Sequence, residues 1–277
     1  MTSCNFHISA ILRVLIYIEQ HLDEPILLEN LSQVAHISPF HFHRLFRAYT
    51  DETCKEYIQR LRLQRAEEKL RYTNEPITTI AHDVGYETSS SFSKIFHQVM
   101  GQSPREYRKR LSPVVQKLLA RQLSTPKWTP VYQKRDEETV LFVRRIGDYT
   151  ETPWKAFDAL LQFLENRSIK QDQIVGFYSI ALDDPNIVDR SKCRFDACVK
   201  IVPKVAPYGE VGERKLPGGL FACFEYTGPS SGIESAFTEI YRSWHPSPNY
   251  TLADKESFCE YIDFDRITKI YIPINKS

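Results

Sequence analysis

The strongest constraint on the fold is an internal repeat in the first hundred residues. Four apolar residues recur at i, i+3, i+4 and i+7, and four more follow at a constant offset of 50 positions. They are Phe42, Leu45, Phe46 and Tyr49 in the first copy and Phe92, Ile95, Phe96 and Val99 in the second. This spacing places each set on one helical face, so the sequence predicts two equivalent amphipathic helices.

Each of these helices follows a shorter predicted helix and a tight turn. The short helices are predicted over 27–35 and 77–84, and the turns carry His36 and Gly85 respectively. The predicted caps are Ser38, with Pro39 at the first helical position, and either Glu87 or Thr88 in the second copy. Helix, short turn and second helix form the helix-turn-helix arrangement, which the sequence therefore predicts twice.

A longer helix, predicted over 54–73, joins the two copies. Twenty helical residues span about 30 Å, close to the roughly 34 Å between successive major-groove openings on one face of DNA. Its apolar positions are Ile58, Leu61, Ala66 and Leu70. Five basic residues are predicted to point largely outward: Arg60, Arg62, Arg65, Lys69 and Arg71. One chain is thus predicted to offer two helices to adjacent grooves.

The faces opposite the two apolar stripes carry the candidate DNA-binding residues. They are Phe40, His43, Arg44 and Arg47 in the first helix, and Ser89, Ser90, Ser93, Lys94 and His97 in the second. Arginine bonds the guanine edge with two hydrogen bonds, and an apolar ring contacts the thymine methyl group. A solvated face is the alternative for any single polar stripe, but the repeat and its spacing favour contact with double-stranded DNA.

Four segments of this region resemble the AraC/XylS-type transcription regulators. They are LRLQRA at 61–66, IAHDVGY at 80–86, SFSKIF at 91–96 and GQSPREYR at 101–108, within a resemblance that covers about 8–111. The resemblance implies sequence-specific promoter binding by paired helix-turn-helix units, with activation through RNA polymerase. The family usually has glycine where His36 stands and another glycine near 51–53, which this chain lacks.

A second repeat follows, in which a β-α-β-β order of elements occurs twice. The first copy has predicted strands at 139–145, 174–180 and 196–202 and a helix at 153–166. The second has strands at 220–226, 258–263 and 269–272 and a helix at 233–244, and the turn glycines Gly147 and Gly228 lie 81 positions apart. Such units predict an antiparallel sheet flanked by helices. The predicted fold class is therefore multidomain, α and α+β: an N-terminal all-α double helix-turn-helix domain (1–112), a linker (113–127) and a duplicated β-α-β-β domain (128–277).

The second domain resembles the GyrI-like effector-binding domains. The segments concerned are RIGDY at 145–149, RFDACV at 194–199, LPGGLFA at 216–222 and IYIPI at 270–274. The resemblance implies a pocket for flat, hydrophobic, often cationic molecules, walled by aromatic rings around an acidic residue. The candidate ligand-binding residues are Tyr149, Trp154, Tyr178, Glu225, Trp244, Glu260 and Tyr261. The alternatives are core positions for Trp154 and Trp244, an ordinary half-buried sheet position for Tyr178 and an exposed strand position for Glu225.

The acidic residue of that pocket has two possible positions. Similar domains carry a Phe-Glu-X-Tyr pattern near the C-terminus, whereas this chain has FCEY at 258–261. If Tyr261 keeps the family position, Cys259 replaces the acid, and strand alternation puts Glu260 on the opposite face. Either the strand is shifted by one residue, or the pocket lacks its central charge.

Composition excludes several function classes. Lys and Arg number 36 against 35 Asp and Glu, so the net charge of +1 excludes a protein that coats nucleic acid by charge alone. No apolar run approaches the roughly 20 residues of a membrane span, and the N-terminus has no pattern of a secretory signal. The six cysteines lack the paired spacings of a zinc site. We expect a cytoplasmic protein with no membrane partner, metal or cofactor.

These observations predict a transcription activator that binds promoter DNA, contacts RNA polymerase and senses a small hydrophobic, possibly cationic effector. It is predicted not to be an enzyme and to have no catalytic residues. Two alternatives stay open. The second domain could hydrolyse small electrophiles, using a glutamate with a neighbouring tyrosine, or it could serve only for protein contacts in a constitutive regulator.

Overall fold

The computed structural model describes residues 3–110, 128–185, 188–244 and 249–276. The chain divides into two compact units, Met1–Arg121 and Gln122–Ser277. The predicted linker at 113–127 lies outside the described residues. In the part of the chain that the structure describes, no helix is long and apolar enough to cross a membrane.

The first unit is helical, and its two helix-turn-helix pairs confirm the predicted fold class. Its helices are α1 (Ser3–Gln20), α2 (Leu28–Ala35), α3 (Pro39–Thr50), α4 (Cys54–Tyr72), α5 (Ile77–Asp83), α6 (Ser89–Met100) and α7 (104–110). The first pair is α2 and α3, the second is α5 and α6, and α4 connects them. Helix α3 begins with Pro39, where a missing backbone N–H costs nothing.

Each pair packs around its own aromatic core, and the two cores are alike. Phe46 meets Tyr57 edge-to-face with ring centroids 5.5 Å apart, and Phe96 meets Tyr107 in the same way at 5.5 Å. The offset of 50 therefore extends past the second helix of each pair. The prediction that Val99 joins the apolar stripe is wrong, because it is 53% exposed and Met100 packs against this core instead.

The turns of the two helix-turn-helix pairs also match, although those of the first pair lack glycine. His36 and Asp51 adopt φ values of 55° and 58°, and the equivalent Gly85 and Gly101 adopt 81° and 69°. His and Asp are among the side chains that tolerate this left-handed region best, at a cost of about 1–2 kcal/mol per residue. The first helix-turn-helix pair thus keeps the left-handed turn residues of the second pair without its glycines.

The basic residues of α4 are not directed outward as predicted. All five are half-buried, because α4 lies between the two cores and other elements meet it on several sides. Lys69 Nζ lies 2.7 Å from an Asp83 carboxylate oxygen, and Arg60 donates to the Glu52 carboxylate at 2.9 Å. These charges therefore hold the helices together.

The second unit is built on one antiparallel sheet. Among the described residues its strands are β1 (Val131–Arg135), β2 (Glu138–Ile146), β3 (Ile174–Ala181), β4 (Arg194–Ile201), β5 (Val211–Leu216), β6 (Gly219–Thr227), β7 (Tyr250–Leu252), β8 (Phe258–Asp263) and β9 (Ile267–Lys276). Its helices are α8 (Thr152–Asn166) and α9 (Ile233–Ser243). The strand order is β1-β6-β9-β8-β3-β4-β2-β5, and β7 pairs with β9.

The duplication relates the two halves by a pseudo-twofold axis at the centre of this sheet. The copies are β2-α8-β3-β4 and β6-α9-β8-β9, and β3 pairs with β8 where they meet. Tyr178 lies directly opposite Glu260 in this pair. The last strand does not end before Pro273 as predicted. Pro273 stays within β9, opposite Phe221, and its carbonyl accepts a hydrogen bond from Ala253.

Both helices pack on the same side of the sheet, which we call the helix side. Helix α8 covers β2 and β4, and α9 covers β6 and β9. The spacing of the apolar residues in α8 predicts one buried face formed by Trp154, Phe157, Leu160, Leu161 and Leu164. Phe157, Leu160 and Leu164 are buried, but Trp154 and Leu161 are 59% and 44% exposed, so the prediction is wrong for these two. Around the helix axis, those two side chains come directly after Phe157, at one edge of the buried face of α8.

The opposite side, which we call the inner side, is buried, and none of the described helices covers it. Phe142, Phe221 and Phe258 are each at most 1% exposed there. The sheet curls around these rings, so that Arg135 of the edge strand β1 reaches Glu260 of the central strand β8. The centre of the domain therefore has two distinct environments, one on each side of β3 and β8.

Candidate functional site

The outer faces of α3 and α6 present their side chains at equivalent positions. With an offset of 50, Phe40, His43, Arg44 and Arg47 correspond to Ser90, Ser93, Lys94 and His97. Phe40 is 64% exposed, and Arg44, Arg47, Ser90, Lys94 and His97 are exposed, whereas His43, Ser89 and Ser93 are half-buried. The structure thus gathers the nine candidates on two matching surfaces.

The first surface has at its centre an arginine that lies against an aromatic ring. The guanidinium carbon of Arg44 lies 4.3 Å from the centroid of the Phe40 ring. A cation–π contact of this kind restricts the side chain while leaving its N–H donors directed outward. Arg44 is therefore preorganised to meet a planar acceptor edge such as that of guanine.

The second surface begins at a capped helix end. Thr88 Oγ1 accepts a hydrogen bond from the Ser91 backbone N–H at 3.1 Å, so Thr88 rather than Glu87 is the cap. In α3 the Ser38 side chain forms no such bond. The start of α6, with the half-buried Ser89 and the exposed Ser90, is thus held more firmly than that of α3.

A residue that sequence reasoning assigned to the outside connects the two helix-turn-helix pairs within the helical domain. Arg62 of α4 donates to the carbonyl oxygens of Leu22 at 2.9 Å and Glu24 at 2.7 Å. A Cβ on Gly85 would clash with the same Leu22 carbonyl and lie 2.7 Å from the Arg62 guanidinium carbon. The turn of the second helix-turn-helix pair is therefore packed on the segment that follows α1. The sequence signal was the glycine at 85, where the first copy has His36.

The candidate ligand-binding residues do not form one cluster. Tyr178 and Glu260 lie together on the inner side, whereas Tyr149, Trp244 and Tyr261 pack in the cores of the helix side. Trp154 and Glu225 are exposed. The Tyr149 hydroxyl lies 2.9 Å from the Arg194 carbonyl oxygen and 3.0 Å from that of Asp183, and it accepts a hydrogen bond from the Asp183 backbone N–H at 3.1 Å. It therefore holds the loop at Asp183 against β4.

Glu260 already has a cation on the inner side. Its Oε2 accepts hydrogen bonds from Arg135 Nη1 at 2.8 Å and from the Tyr271 hydroxyl at 2.6 Å. The Arg135 guanidinium lies 4.7 Å from the Tyr271 ring centroid and 5.8 Å from that of Tyr178. Burial disfavours the charge, but Glu260 raises the pKa of Arg135. Sequence reasoning missed Arg135 because β1 was not predicted, and it predicted the strand that carries Tyr271 without showing that the Tyr271 hydroxyl reaches Glu260.

Among the described residues of this domain two further carboxylates are buried, and arginines bind both. Asp196 bonds Arg144 at 2.7 Å and also contacts Arg214, and Asp183 bonds Arg194 at 2.7 Å. Burial alone would raise the pKa of Asp196, but Arg144 and Arg214 hold it below its usual value. Asp196 is therefore charged and compensated at neutral pH, and Asp183 is paired with Arg194.

The helix side of the central strands has a polar centre without a charge. The hydroxyls of Ser179 and Tyr261 lie 2.9 Å apart, and Cys259 is the register partner of Ser179. Burial raises the pKa of Tyr261, and it raises that of the Cys259 thiol to about 12. Glu260 faces the other side, so the strand is not shifted and a thiol occupies the position next to Tyr261.

Aromatic rings surround this polar centre. The Tyr261 ring stacks on Phe264 with centroids 4.7 Å apart and an interplanar angle of 6°. Phe157 of α8 meets Tyr261 edge-to-face at 5.3 Å and Phe264 at 5.4 Å. In the described ranges no group of three or more His, Cys, Asp or Glu side chains could hold a metal ion. The arrangement can bind a flat molecule through ring contacts and hydroxyl hydrogen bonds.

Both parts of the chain match known families. Residues 31–110 match a helix-turn-helix domain, and residues 130–275 match the GyrI-like small molecule binding domain. The second match covers more than half of the chain. The chain is an AraC-type regulator with a GyrI-like domain. The family resemblance and the fold class inferred from the sequence are thereby confirmed.

Four similar proteins each match this regulator over about a third of its length. It is 36% identical over 95 residues to the regulatory protein SoxS of Salmonella typhimurium, which covers 34% of this chain and 89% of SoxS. With SoxS of Escherichia coli K12 it shares 33% over 105 residues, 38% of this chain and 98% of the relative. It shares 37% over 92 residues, 33% of this chain and 44% of the relative, with the bifunctional transcriptional activator and DNA repair enzyme AdaA of Bacillus subtilis. Among solved structures, the C-terminal domain of AraT, a response regulator from Geobacillus stearothermophilus, matches with 30% identity and a TM-score of 0.36, covering 36% of this chain and 84% of that one.

Proposed function

We propose that this regulator binds promoter DNA with α3 and α6 and that its GyrI-like domain binds a small hydrophobic effector. The observation that carries the proposal is the pair of matching outer faces, repeated at an offset of 50. The proposed layout is a DNA-binding domain at 1–112, a linker at 113–127 and an effector domain at 128–277. The AraC-type family supports a cytoplasmic activator that contacts RNA polymerase.

Within this proposal the two faces read DNA differently. Arg44, supported by Phe40, bonds a guanine edge with two hydrogen bonds, and the exposed Phe40 ring contacts thymine methyl groups. The serines and Lys94 of α6 bond several base edges or phosphates equally well. Helix α3 therefore supplies most of the sequence discrimination, and α6 supplies mainly affinity.

Gel mobility shifts test the DNA-binding half on sites selected by the full chain from random duplexes. Arg44→Ala is expected to weaken binding to the best site by about 1–3 kcal/mol, because a two-hydrogen-bond base contact is lost. The matched control is Arg105→Ala, which removes an exposed arginine of α7 outside both faces. Equal affinity of the Arg44→Ala variant and the parent would show that the reading face is assigned wrongly.

We further propose that the GyrI-like domain binds its effector without turnover. Hydrolysis of an electrophile would use a glutamate beside a tyrosine. Glu260 and Tyr271 form such a pair, but Arg135 binds the same Glu260 oxygen at 2.8 Å and keeps it in an ion pair on the inner side. Tyr261 has a serine and a thiol beside it instead. Product formation from a small epoxide incubated with the full chain would contradict this proposal.

A further inference from the structure

We infer that the effector of this GyrI-like domain is an uncharged aromatic molecule that binds on the helix side of β3 and β8, between α8 and α9. The inference rests on the proposed function and specifies its ligand. It departs from the cationic effectors that the family resemblance implies. Three features of the domain support it: the pairing of its carboxylates, the polar groups at its centre and the rings around them.

The first feature is that the central carboxylates are already neutralised. Among the described residues of this domain the buried acids are Asp183 and Asp196, and arginines bind both. Glu260 is the acid nearest the pseudo-twofold axis, and it binds Arg135. A cationic ligand would have to displace one of these arginines and leave its guanidinium in a poorly solvated place.

Arg135 itself occupies a place suited to a cation. Its guanidinium lies over the rings of Tyr271 and Phe258, at 4.7 and 5.6 Å from their centroids, while it bonds Glu260. Aromatic faces and a carboxylate are the groups that recognise organic cations in proteins. The chain thus fills its own cation site with an arginine from β1, which removes that site from use by an effector.

The second feature is that the helix side offers hydrogen bonds but no charge at its centre. The Ser179 and Tyr261 hydroxyls are 2.9 Å apart, and the Cys259 thiol faces the same side. Hydroxyl groups donate and accept hydrogen bonds, so they suit a ring nitrogen or a carbonyl oxygen. The carboxylate that acts on Tyr261, Asp265, is exposed and already accepts a hydrogen bond from Ser230. A cation placed here would therefore lose its hydration for little ionic compensation, whereas an uncharged ring system would lose little.

The third feature is an exposed aromatic surface above this centre. Phe264 is 41% exposed and stacks on Tyr261, with Phe157 packed against both rings. Two large apolar side chains of α8, Trp154 and Leu161, are exposed on the edge of the helix next to Phe157. Soluble proteins rarely expose several large apolar groups together unless a partner or ligand covers them. The domain's small-molecule-binding family favours a ligand here.

The test compares two ligands of equal shape and different charge. Binding of acridine, uncharged in mildly alkaline buffer, and of N-methylacridinium, permanently cationic, is measured on the full chain by equilibrium dialysis. We expect acridine to have a dissociation constant at least about tenfold lower than that of N-methylacridinium. Cys259→Glu, which adds a carboxylate beside Tyr261, is expected to reverse this preference. Glu260→Gln changes the inner side only and is expected to leave the preference unchanged.

Each outcome bears on the inference. If the parent binds N-methylacridinium as tightly as acridine, or more tightly, the inference is overturned. If Glu260→Gln then loses that binding, the effector is assigned to the inner side, and the proposed sensor function stays intact. Absence of binding by both probes would overturn the assignment of this surface to flat aromatics, whereas DNA binding is judged separately by the mobility shifts. If Cys259→Glu does not fold, the parent and Glu260→Gln still decide between the two sides.

Discussion

At the residue scale, burial and partners decide what an arginine does in this chain. Arg44 is exposed on α3 and lies against the Phe40 ring, so its charge is available to a partner. The Arg144 side chain is 1% exposed and lies against Asp196, so its charge is used within the fold. Five donors in a fixed plane serve both purposes. The residue type alone therefore does not reveal which arginines contact a partner.

The buried cluster around Asp196 gives a prediction about stability. Asp196→Asn removes the charge that compensates Arg144 and Arg214, so we expect a loss of about 3–5 kcal/mol in the free energy of unfolding at neutral pH. Urea unfolding followed by tryptophan fluorescence measures it. All three tryptophans, Trp128, Trp154 and Trp244, lie in the effector domain and report on it alone.

The pH dependence of this difference provides its control. Arg144 and Arg214 hold the pKa of Asp196 below its unfolded value of about 3.9, so the stabilisation is complete above that value and is lost as the pH falls through the folded-state pKa. The gap between the parent and Asp196→Asn should therefore shrink below about pH 4. The exposed Asp158 on α8 is the matched control, and Asp158→Asn is expected to change stability by less than about 0.5 kcal/mol. A gap that is independent of pH would contradict the assignment.

At the element scale, the two equivalent turns predict opposite effects of equivalent substitutions. Gly85→Ala should destabilise the DNA-binding domain by about 1–3 kcal/mol, because a left-handed φ of 81° is combined with a clash against the Leu22 carbonyl and Arg62. His36→Gly should be neutral or stabilising by up to about 1 kcal/mol, because it relieves a side chain at φ 55°. Thermal unfolding followed by helical circular dichroism compares the two variants. A loss of similar size in both would show that the turns are not equivalent.

The same turns show what sequence reasoning could and could not predict. The offset of 50 predicted both helix pairs, because apolar spacing sets which helical face is buried. It did not predict that Arg62 bonds the Leu22 carbonyl, since nothing local to α4 indicates which element packs on it. Similarly, alternation along β8 correctly separated Glu260 from Tyr261. Arg135 was missed because the short β1 is an edge strand, and only the curl of the sheet brings it to Glu260.

At the scale of the whole molecule, charge balance limits how the regulator binds DNA. The chain has 36 basic and 35 acidic residues, and residues 1–112 contain 14 of the former and 13 of the latter. Much of the basic charge on α4 is used in contacts within the domain, such as those of Arg60 and Lys69. Non-specific attraction to phosphates is therefore weak, and affinity depends on the few cations that the two recognition helices expose.

The salt dependence of DNA binding tests this argument. Each phosphate neutralised contributes about −0.9 to the slope of log K against log salt, and the exposed cations of the two faces are Arg44, Arg47 and Lys94. Three such contacts give an expected slope of about −3 for the best site. Lys94→Ala should reduce its magnitude by about 1, and Arg105→Ala should leave it unchanged. A slope steeper than about −8 would mean that many more cations reach the phosphates than these two faces provide.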